Sequence, residues 1–389
     1  MEKPEQELCQ ILSTSTSQIG DSFPRLRSLD SIVLYGAGNL GIHTLRKLHR
    51  MGLRPLAFAD DTPEKQGMLV EGVPVMSPAS AAERFGEQLV FVVTIMNAKL
   101  RFLDAKHRLE ALTNTPVFSF LHLAHQFPDV FLPYYQFESP SQLQSKAKDI
   151  LVGFQLWSDD ESRRQFVAHI KLRLFLDYAA LPGNREQGYL PRDVFSNMPA
   201  ETVFVDCGAY DGDTIRQFLQ QQDGRFGRIY AFEPDEKNCQ RLREYVQSMG
   251  DNVASRVQIF NAAVGNARKE IGFNVTGDMS ASFTESGSTR VQVLPLDEVV
   301  PTDGAPAFLK FDVEGAEAEA LQGARNLIRE SRPIVAVSIY HRPDDLWQLP
   351  MQLNSLTDGY RFFLRTQGED GMDVICYAVP YNPQALLQG

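Results

Sequence analysis

Between Asp206 and Thr214 the chain reads Asp-Cys-Gly-Ala-Tyr-Asp-Gly-Asp-Thr, with Gly208 and Gly212 four apart and Asp211 and Asp213 beside them. Glycines let a backbone approach a ligand closely and turn where other residues cannot. A helix opening near Thr214 would present amide N–H groups that have no intrahelical partner and can meet a carboxylate. A phosphate cradle would carry Gly-x-Gly-x-x-Gly or a P-loop Lys-Ser/Thr. This loop has neither, and its acids would repel phosphate while suiting a sulfonium or an ammonium group. Ala209 and Tyr210 complete the turn. Glu233 stands 27 residues beyond Asp206, where an acid at the tip of a second strand can accept both hydroxyls of a ribose. Asn261, Ala262 and Ala263 close a third apolar run, and such small residues leave room for a flat ring. Further on, Asp312, Glu314 and His341 are candidate general bases. The imidazole titrates near neutrality when unperturbed, which favours His341.

A second glycine loop lies near the N-terminus. Gly36-Ala37-Gly38-Asn39-Leu40-Gly41 is a full Gly-x-Gly-x-x-Gly, and Asp60 falls where a dinucleotide fold places its ribose ligand. The loop supports a dinucleotide-type fold. It leaves open whether Gly36, Gly38, Asn39, Gly41 and Asp60 hold a nucleotide or nucleotide-sugar, or serve a structural or oligomerising role. His122 and His125 lie three apart, a spacing that shares a helix face. Without a clear third ligand they read as ordinary core or surface residues, and no metal is expected, with only Asp312 and Glu314 leaving one open.

These residues need strands that end together. Apolar runs at 32–35, 56–59, 89–94 and 116–120 alternate with helical stretches at 42–51 and 97–112. The same alternation returns with runs at 203–205, 228–232, 257–260, 308–311, 333–338, 360–365 and 374–379. Alternating strands and helices predict an α/β protein of two Rossmann-like, doubly wound domains. In such sheets ligands sit outside the carboxyl ends of the strands. Asp206, Glu233, Ala262 and Asp312 all fall at such ends. The expected organisation is peripheral helices over 1–30, a nucleotide-binding-like domain over 31–126, a connection over 127–200 and a catalytic domain over 201–389. Within the connection, 127–145 is rich in proline and aromatics and reads as chain laid over a surface. Ser158 reads as the N-cap of a bracing helix that runs past Phe166 and Ile170, and Tyr189 as a residue of a lid. Residues 269–296 read as a hairpin with Ser280 and Ser282 as possible contacts.

The 389 residues carry a net charge of −11, which argues against a broad nucleic-acid surface. No apolar stretch is long enough to span a bilayer. The N-terminus is polar and acidic, unlike a signal peptide. Cys9, Cys207, Cys239 and Cys376 are scattered without zinc spacing. A cytoplasmic protein with free thiols is expected, acting on a small molecule, with a homo-oligomer left open.

The loop at 206–214 resembles the first motif of class I S-adenosylmethionine (SAM) methyltransferases. Taken in order, Asp-Cys-Gly-Ala-Tyr-Asp-Gly-Asp-Thr, Phe-Glu-Pro-Asp (232–235), Leu-Asp-Glu (296–298), Lys-Phe-Asp-Val-Glu-Gly-Ala-Glu (310–317) and Ser-Ile-Tyr-His (338–341) resemble the FkbM family of SAM-dependent methyltransferases. The resemblance covers residues 158 to the C-terminus. It implies a seven-stranded class I methyltransferase fold and, as its commonest chemistry, O-methylation of hydroxyls on sugars and natural products. It further implies that Asp206, Gly208 and Gly212 hold the methionine part of SAM, that Glu233 holds the ribose, and that Ala262 and Ala263 neighbour the adenine. Asp312 could instead bind the SAM amino group, and Glu314 could cap a helix. Residues 67–78 with the strand-loop-helix before them resemble the N-terminal domain of PglD-type sugar acyltransferases, which hold a nucleotide-sugar there. Two rivals follow from the N-terminal loop: an NAD(P)- or nucleotide-sugar-dependent modifying enzyme, and a non-catalytic nucleotide-binding scaffold.

Overall fold

The computed structural model describes residues 3–27, 29–183, 188–194, 198–274, 282–283, 289–302 and 307–381. The chain forms two compact units that alternate along the sequence. Met1–Leu151, Arg164–Arg185 and Thr366–Asp373 make the first, and Val152–Arg163, Glu186–Arg365 and Val374–Gly389 the second.

The first unit is built on six strands: β1 (Ile32–Tyr35), β2 (Ala57–Ala59), β3 (Leu69–Val70), β4 (Val73–Met76), β5 (Val90–Val93) and β6 (Val117–Ser119). Their order is β3-β4-β2-β1-β5-β6, parallel except where β3 runs against β4. All four residues of β1 are buried. That fits the unbroken apolar run Ile-Val-Leu-Tyr, since inner strands of parallel sheets are covered on both faces. The helix Asn39–Arg50 follows β1 directly, with Gly38 at its N-cap.

Residues 127–145, read as a connection, contain the helices Pro128–Phe131 and Pro140–Ser145, and Ala147–Phe154 follows. Ser139 Oγ accepts the Gln142 amide while Gln142 Oε1 accepts the Ser139 amide at 3.1 Å, a complete capping box. Pro128 and Pro140 sit at helix starts, where their missing N–H costs nothing. The long helix does begin near Ser158, as Asp160–Phe175, but Ser158 is not its cap. Ser158 Oγ accepts the Phe362 amide at 2.9 Å, and Asp159 Oδ1 takes the Ser162 amide at 2.8 Å.

The second unit holds a seven-stranded sheet of β7 (Val203–Cys207), β8 (Arg228–Phe232), β9 (Val257–Phe260), β14 (Ala307–Phe311), β15 (Ile334–Ser338), β16 (Tyr360–Thr366) and β17 (Val374–Pro380). Their order is β16-β17-β15-β14-β7-β8-β9. Strands β15, β14, β7, β8 and β9 are parallel, and β17 runs against β15. Strand order reverses between β7 and β14, the switch point where open α/β sheets leave a crevice. Beside it, β10 (Ala263–Val264), β11 (Lys269–Asn274), β12 (Ser282–Phe283) and β13 (Thr289–Leu294) make a small sheet with β11 antiparallel to β13. The expected hairpin is this excursion. Ser280 lies outside the described residues, and Ser282 is described only as part of β12.

No helix among the described residues is long and apolar enough to cross a membrane.

Candidate active site

The register of β7 and β14 sets Asp206 directly beside Lys310. Both side chains are buried, with Lys310 Nζ 3.0 Å from Asp206 Oδ1. Lys310 Nζ also donates to the Gly208 carbonyl at 2.7 Å. Burial pushes Asp206 up to about 6, against the pull of Lys310. Burial works against the Lys310 charge as well, but Asp206, Asp312 and Asp213 outweigh it and raise the ammonium's pKa. The pair is therefore ionised at neutral pH. Asp206 braces the loop through this pair and does not line the pocket described below. Its partner Lys310 does line it.

Beyond this pair the strand tips are tied to one another. The amides of Gly208 and Ala209 both donate to the Phe232 carbonyl at 2.9 Å, and the Glu233 amide donates to the Phe260 carbonyl at 3.0 Å. The Asp312 amide donates to the Cys207 carbonyl at 3.0 Å. At Gly208, φ is +82° and an added Cβ would lie 1.9 Å from the Asp312 carbonyl oxygen. Only glycine fits that turn. Tyr210 at φ +48° and Glu314 at φ +53° are non-glycine residues in the left-handed region, where backbone strain tends to gather at functional sites.

These tips surround one pocket. Gly208, Tyr210 and Thr214 form one wall, Glu233 and Pro234 the next, then Ala262 and Ala263, then Asp312 and Glu314. Eight of the residues singled out from the sequence thus meet in a single crevice. Glu233 is held firmly: Oε2 accepts the Tyr210 amide at 2.8 Å and Oε1 the Asp235 amide at 2.9 Å. Burial nevertheless raises its carboxyl to about 7, and the two amides only moderate that shift. Asp213 lines the pocket as well, whereas Ala209, Asp211, Gly212 and Asn261 do not. Ala209 is buried in the core. Asp211 pairs with Arg216. Gly212 caps the helix Asp213–Gln221. Asn261 Nδ2 donates to the Glu233 carbonyl at 3.0 Å.

Tyr189 also lines the pocket. Its hydroxyl donates to Asp312 Oδ2 at 2.7 Å and lies 3.0 Å from Ser338 Oγ, and its ring covers the Lys310 ammonium at 4.9 Å.

His341 follows β15 and is 7% exposed. Its Nδ1 lies 2.8 Å from Glu317 Oε1. Its Nε2 lies 3.5 Å from Asp312 Oδ1 and 3.7 Å from Glu314 Oε2. Burial by itself would lower the imidazole, but Glu317 first, then Asp312 and Glu314, push it up to about 10. The expected titration near neutrality is not met, because three carboxylates surround the ring. Asp312 is held below its ordinary value: burial opposes its charge, and Lys310, His341 and the hydrogen bonds from Tyr189 and Ser338 overcome that opposition.

Two residues of this site carry no role in the sequence reading. Lys310 is a cation inside the apolar run Ala-Phe-Leu-Lys-Phe, and an acid in the adjacent strand was the available signal. Glu317 is 1% exposed and accepts the Val313 amide at 2.9 Å besides facing His341. Its signal was a third acid within the span 312–317.

At the N-terminal loop, Asp60 turns inward. Its Oδ2 accepts the Ala37 amide at 2.8 Å and pairs with Lys65 at 3.0 Å, and Oδ1 accepts the Thr62 amide at 2.9 Å. Burial works against its charge, and the hydrogen bonds from Thr62, Ala37 and Lys65 outweigh it and lower the pKa. A Cβ on Gly41 would meet the Gly36 carbonyl at 2.0 Å, and one on Gly36 would meet Ile95 at 2.4 Å, whereas Gly38 faces open space. Asn39 begins the helix. His122 and His125 are packed among aromatic rings, and burial lowers them to about 3 and about 4.

Residues 206–370 match the family model described as the methyltransferase FkbM domain. No curated protein matches the chain. Among solved structures, methyltransferase FkbM from Methylobacillus flagellatus KT superposes with a TM-score of 0.76 at 22% identity, covering 96% of this chain and 100% of that one. Precorrin-6y C5,15-methyltransferase from Geobacter metallireducens GS-15 aligns at 13% identity with a TM-score of 0.31, covering 51% of this chain and 94% of that one. The chain therefore carries, over residues 206–370, a match to the methyltransferase FkbM domain, within a fold it shares almost end to end with the Methylobacillus protein.

Proposed function

We propose that the second unit binds S-adenosylmethionine at the strand-tip pocket and transfers its methyl group to a hydroxyl of a small acceptor, a sugar, nucleotide-sugar or natural product. The observation that carries this reading is Glu233: a carboxylate fixed by two backbone amides in the wall of a pocket that also contains Gly208. An acid so held accepts the two ribose hydroxyls of an adenosine. Ala262 and Ala263 leave a flat space beside it for the adenine, and Gly208 lets the backbone approach the methionine part. Asp312, on the opposite wall, suits the ammonium group. The match to the methyltransferase FkbM domain supports the same reading.

In the reaction the methyl carbon leaves the sulfonium sulfur, which keeps the bonding pair as a thioether, and bonds to the acceptor oxygen. The hydroxyl proton goes to a base. Positioning supplies much of the rate in such a transfer, and a placed base adds about 10² to 10⁴. The carboxylates of Asp312 and Glu314 line the pocket and can accept that proton. His341, raised to about 10 by its three acidic neighbours, is protonated at neutral pH unless another cation replaces its proton.

Calorimetric titration with SAM and S-adenosylhomocysteine tests the cofactor, with NADH and a UDP-sugar as controls. Saturable binding of the first two, without the controls, is expected. Binding of NADH or UDP-sugar but not SAM would sink the reading.

A further inference from the structure

Asp312, Glu317 and His341 each offer a ligand atom within 4.8 Å of the others, and they are the one such group among the described residues. Three of their buried polar atoms, His341 Nε2, Asp312 Oδ1 and Glu317 Oε2, have no hydrogen-bond partner. Buried polar atoms seldom go unsatisfied in native proteins, and each case calls for a cause. The Nε2 atom is aimed at Asp312 Oδ1 and Glu314 Oε2, 3.5 and 3.7 Å away. Two ligand atoms each about 2.1 Å from a tetrahedral metal stand roughly 3.4 Å apart. The observed spacings are near that value, and too long for good hydrogen bonds. On the far side of the ring, Nδ1 meets Glu317 Oε1 at 2.8 Å. A histidine whose other nitrogen is fixed by a carboxylate is the usual arrangement behind a metal-bound imidazole.

We propose that His341 Nε2, Asp312 and Glu314 form a binding site for a divalent transition-metal cation, with Glu317 as the positioning residue that orients the imidazole. Mixed imidazole and carboxylate ligands suit Mn²⁺, Fe²⁺ or Zn²⁺ better than Ca²⁺. The charge balance agrees: three carboxylates converge on one imidazole, and a bound cation would offset their charge. Asp312 and Glu314 line the pocket, so the cation would border the space assigned to methyl transfer. Its chemical role rests on that reading, although its existence does not. Bound to an acceptor hydroxyl, it would lower the hydroxyl's pKa, release the proton to water, and hold the oxygen for the incoming methyl group.

The test is Mn²⁺ binding to the full chain, treated with chelator and then titrated without SAM, read by electron paramagnetic resonance. One saturable site is expected. His341→Ala should abolish it, and Glu317→Gln should weaken it about 10- to 100-fold. Glu314→Gln, at a partly exposed side chain, tests the same site if His341→Ala fails to fold. Co²⁺ gives an independent signature, an absorption band that changes when His341 is lost. No Mn²⁺ binding at millimolar concentration would overturn the proposal, as would unchanged binding in both His341→Ala and Glu314→Gln. SAM titration on the same samples separates the two ideas: Mn²⁺ binding without SAM binding leaves the cation site standing and removes the methyl-transfer reading.

Discussion

Each unit of this protein sets a glycine turn at the end of a central strand and an acid at the tip of the next, yet the two acids are used differently. Asp60 spends both oxygens on its own surroundings, and one of them occupies the Ala37 amide. A phosphate in the loop would need that amide. Glu233 also accepts two amides, but it stands in the wall of a pocket shared with Gly208, Ala262 and Asp312. Gly36 and Gly41 are required by close packing within their own unit. Gly208 is required where its turn presses on the next strand tip, at the pocket. The same fingerprint therefore serves close packing in one place and lines a pocket in another.

The largest difference should appear in the two lysines that pair with strand-tip acids. Lys310 and Asp206 are almost wholly buried, and removing one partner of a buried pair leaves a charge in a dry interior, which costs about 3–5 kcal/mol. Lys65 is 40% exposed beside Asp60, and a screened pair of that kind contributes about 1 kcal/mol or less. Lys310→Met should therefore lower the melting temperature sharply in a calorimetric scan, while Lys65→Met should barely move it. Equal losses would break the contrast between the loops.

Gly208→Ala and Gly38→Ala sharpen it. The first forces a side chain into positive φ and against the Asp312 carbonyl. Backbone strain of about 1–2 kcal/mol and overpacking of about 1–3 kcal/mol together predict a loss of SAM affinity on the order of 100-fold. The second adds a methyl group to open space and should leave SAM affinity unchanged. A Gly38→Ala protein that lost SAM binding would show that the N-terminal loop does serve the cofactor. Titration of both variants against wild type decides the point.

The strands were legible because buried parallel strands read as unbroken apolar runs, as in Ile-Val-Leu-Tyr at 32–35 and Ile-Tyr-Ala-Phe at 229–232. The pocket walls were legible in part because chemistry recurs at strand ends: of Asp206, Glu233, Ala262 and Asp312, the last three line the pocket. Which acid faces the crevice was not legible. Asp206 and Glu233 look alike in sequence, and only the register of β7 against β14 puts a lysine beside the first. The state of His341 was hidden for a similar reason. Its pKa depends on Glu317 and Asp312, residues 24 and 29 positions away in sequence (341 − 317 and 341 − 312). The helices around Pro140 went unassigned because proline and aromatic content suggested only a connection, although Ser139 and Gln142 already spelled a capping box.

The smallest effect, and the one with a defined sign, is in pH. The Glu233 carboxyl is raised to about 7, well above an ordinary carboxyl, so the folded state binds its proton more tightly than the unfolded chain does. Stability from this group is fully present below the unfolded value of about 4.3 and falls as pH rises towards 7. Asp60 is shifted the other way, so its contribution is present above the unfolded value of about 3.9 and is lost as pH falls through its lowered folded value. The ribose needs the ionised form of Glu233. If only that form binds, SAM affinity should improve about tenfold between pH 6 and pH 8. Glu233→Gln should bind SAM about 10- to 100-fold more weakly, as expected for lost hydrogen bonds to a charged group, and its affinity should be flat over that range. Asp60→Asn should keep the wild-type slope. A slope that survives in Glu233→Gln would move the titrating group elsewhere, to Asp206 first, since its burial against Lys310 puts it at about 6.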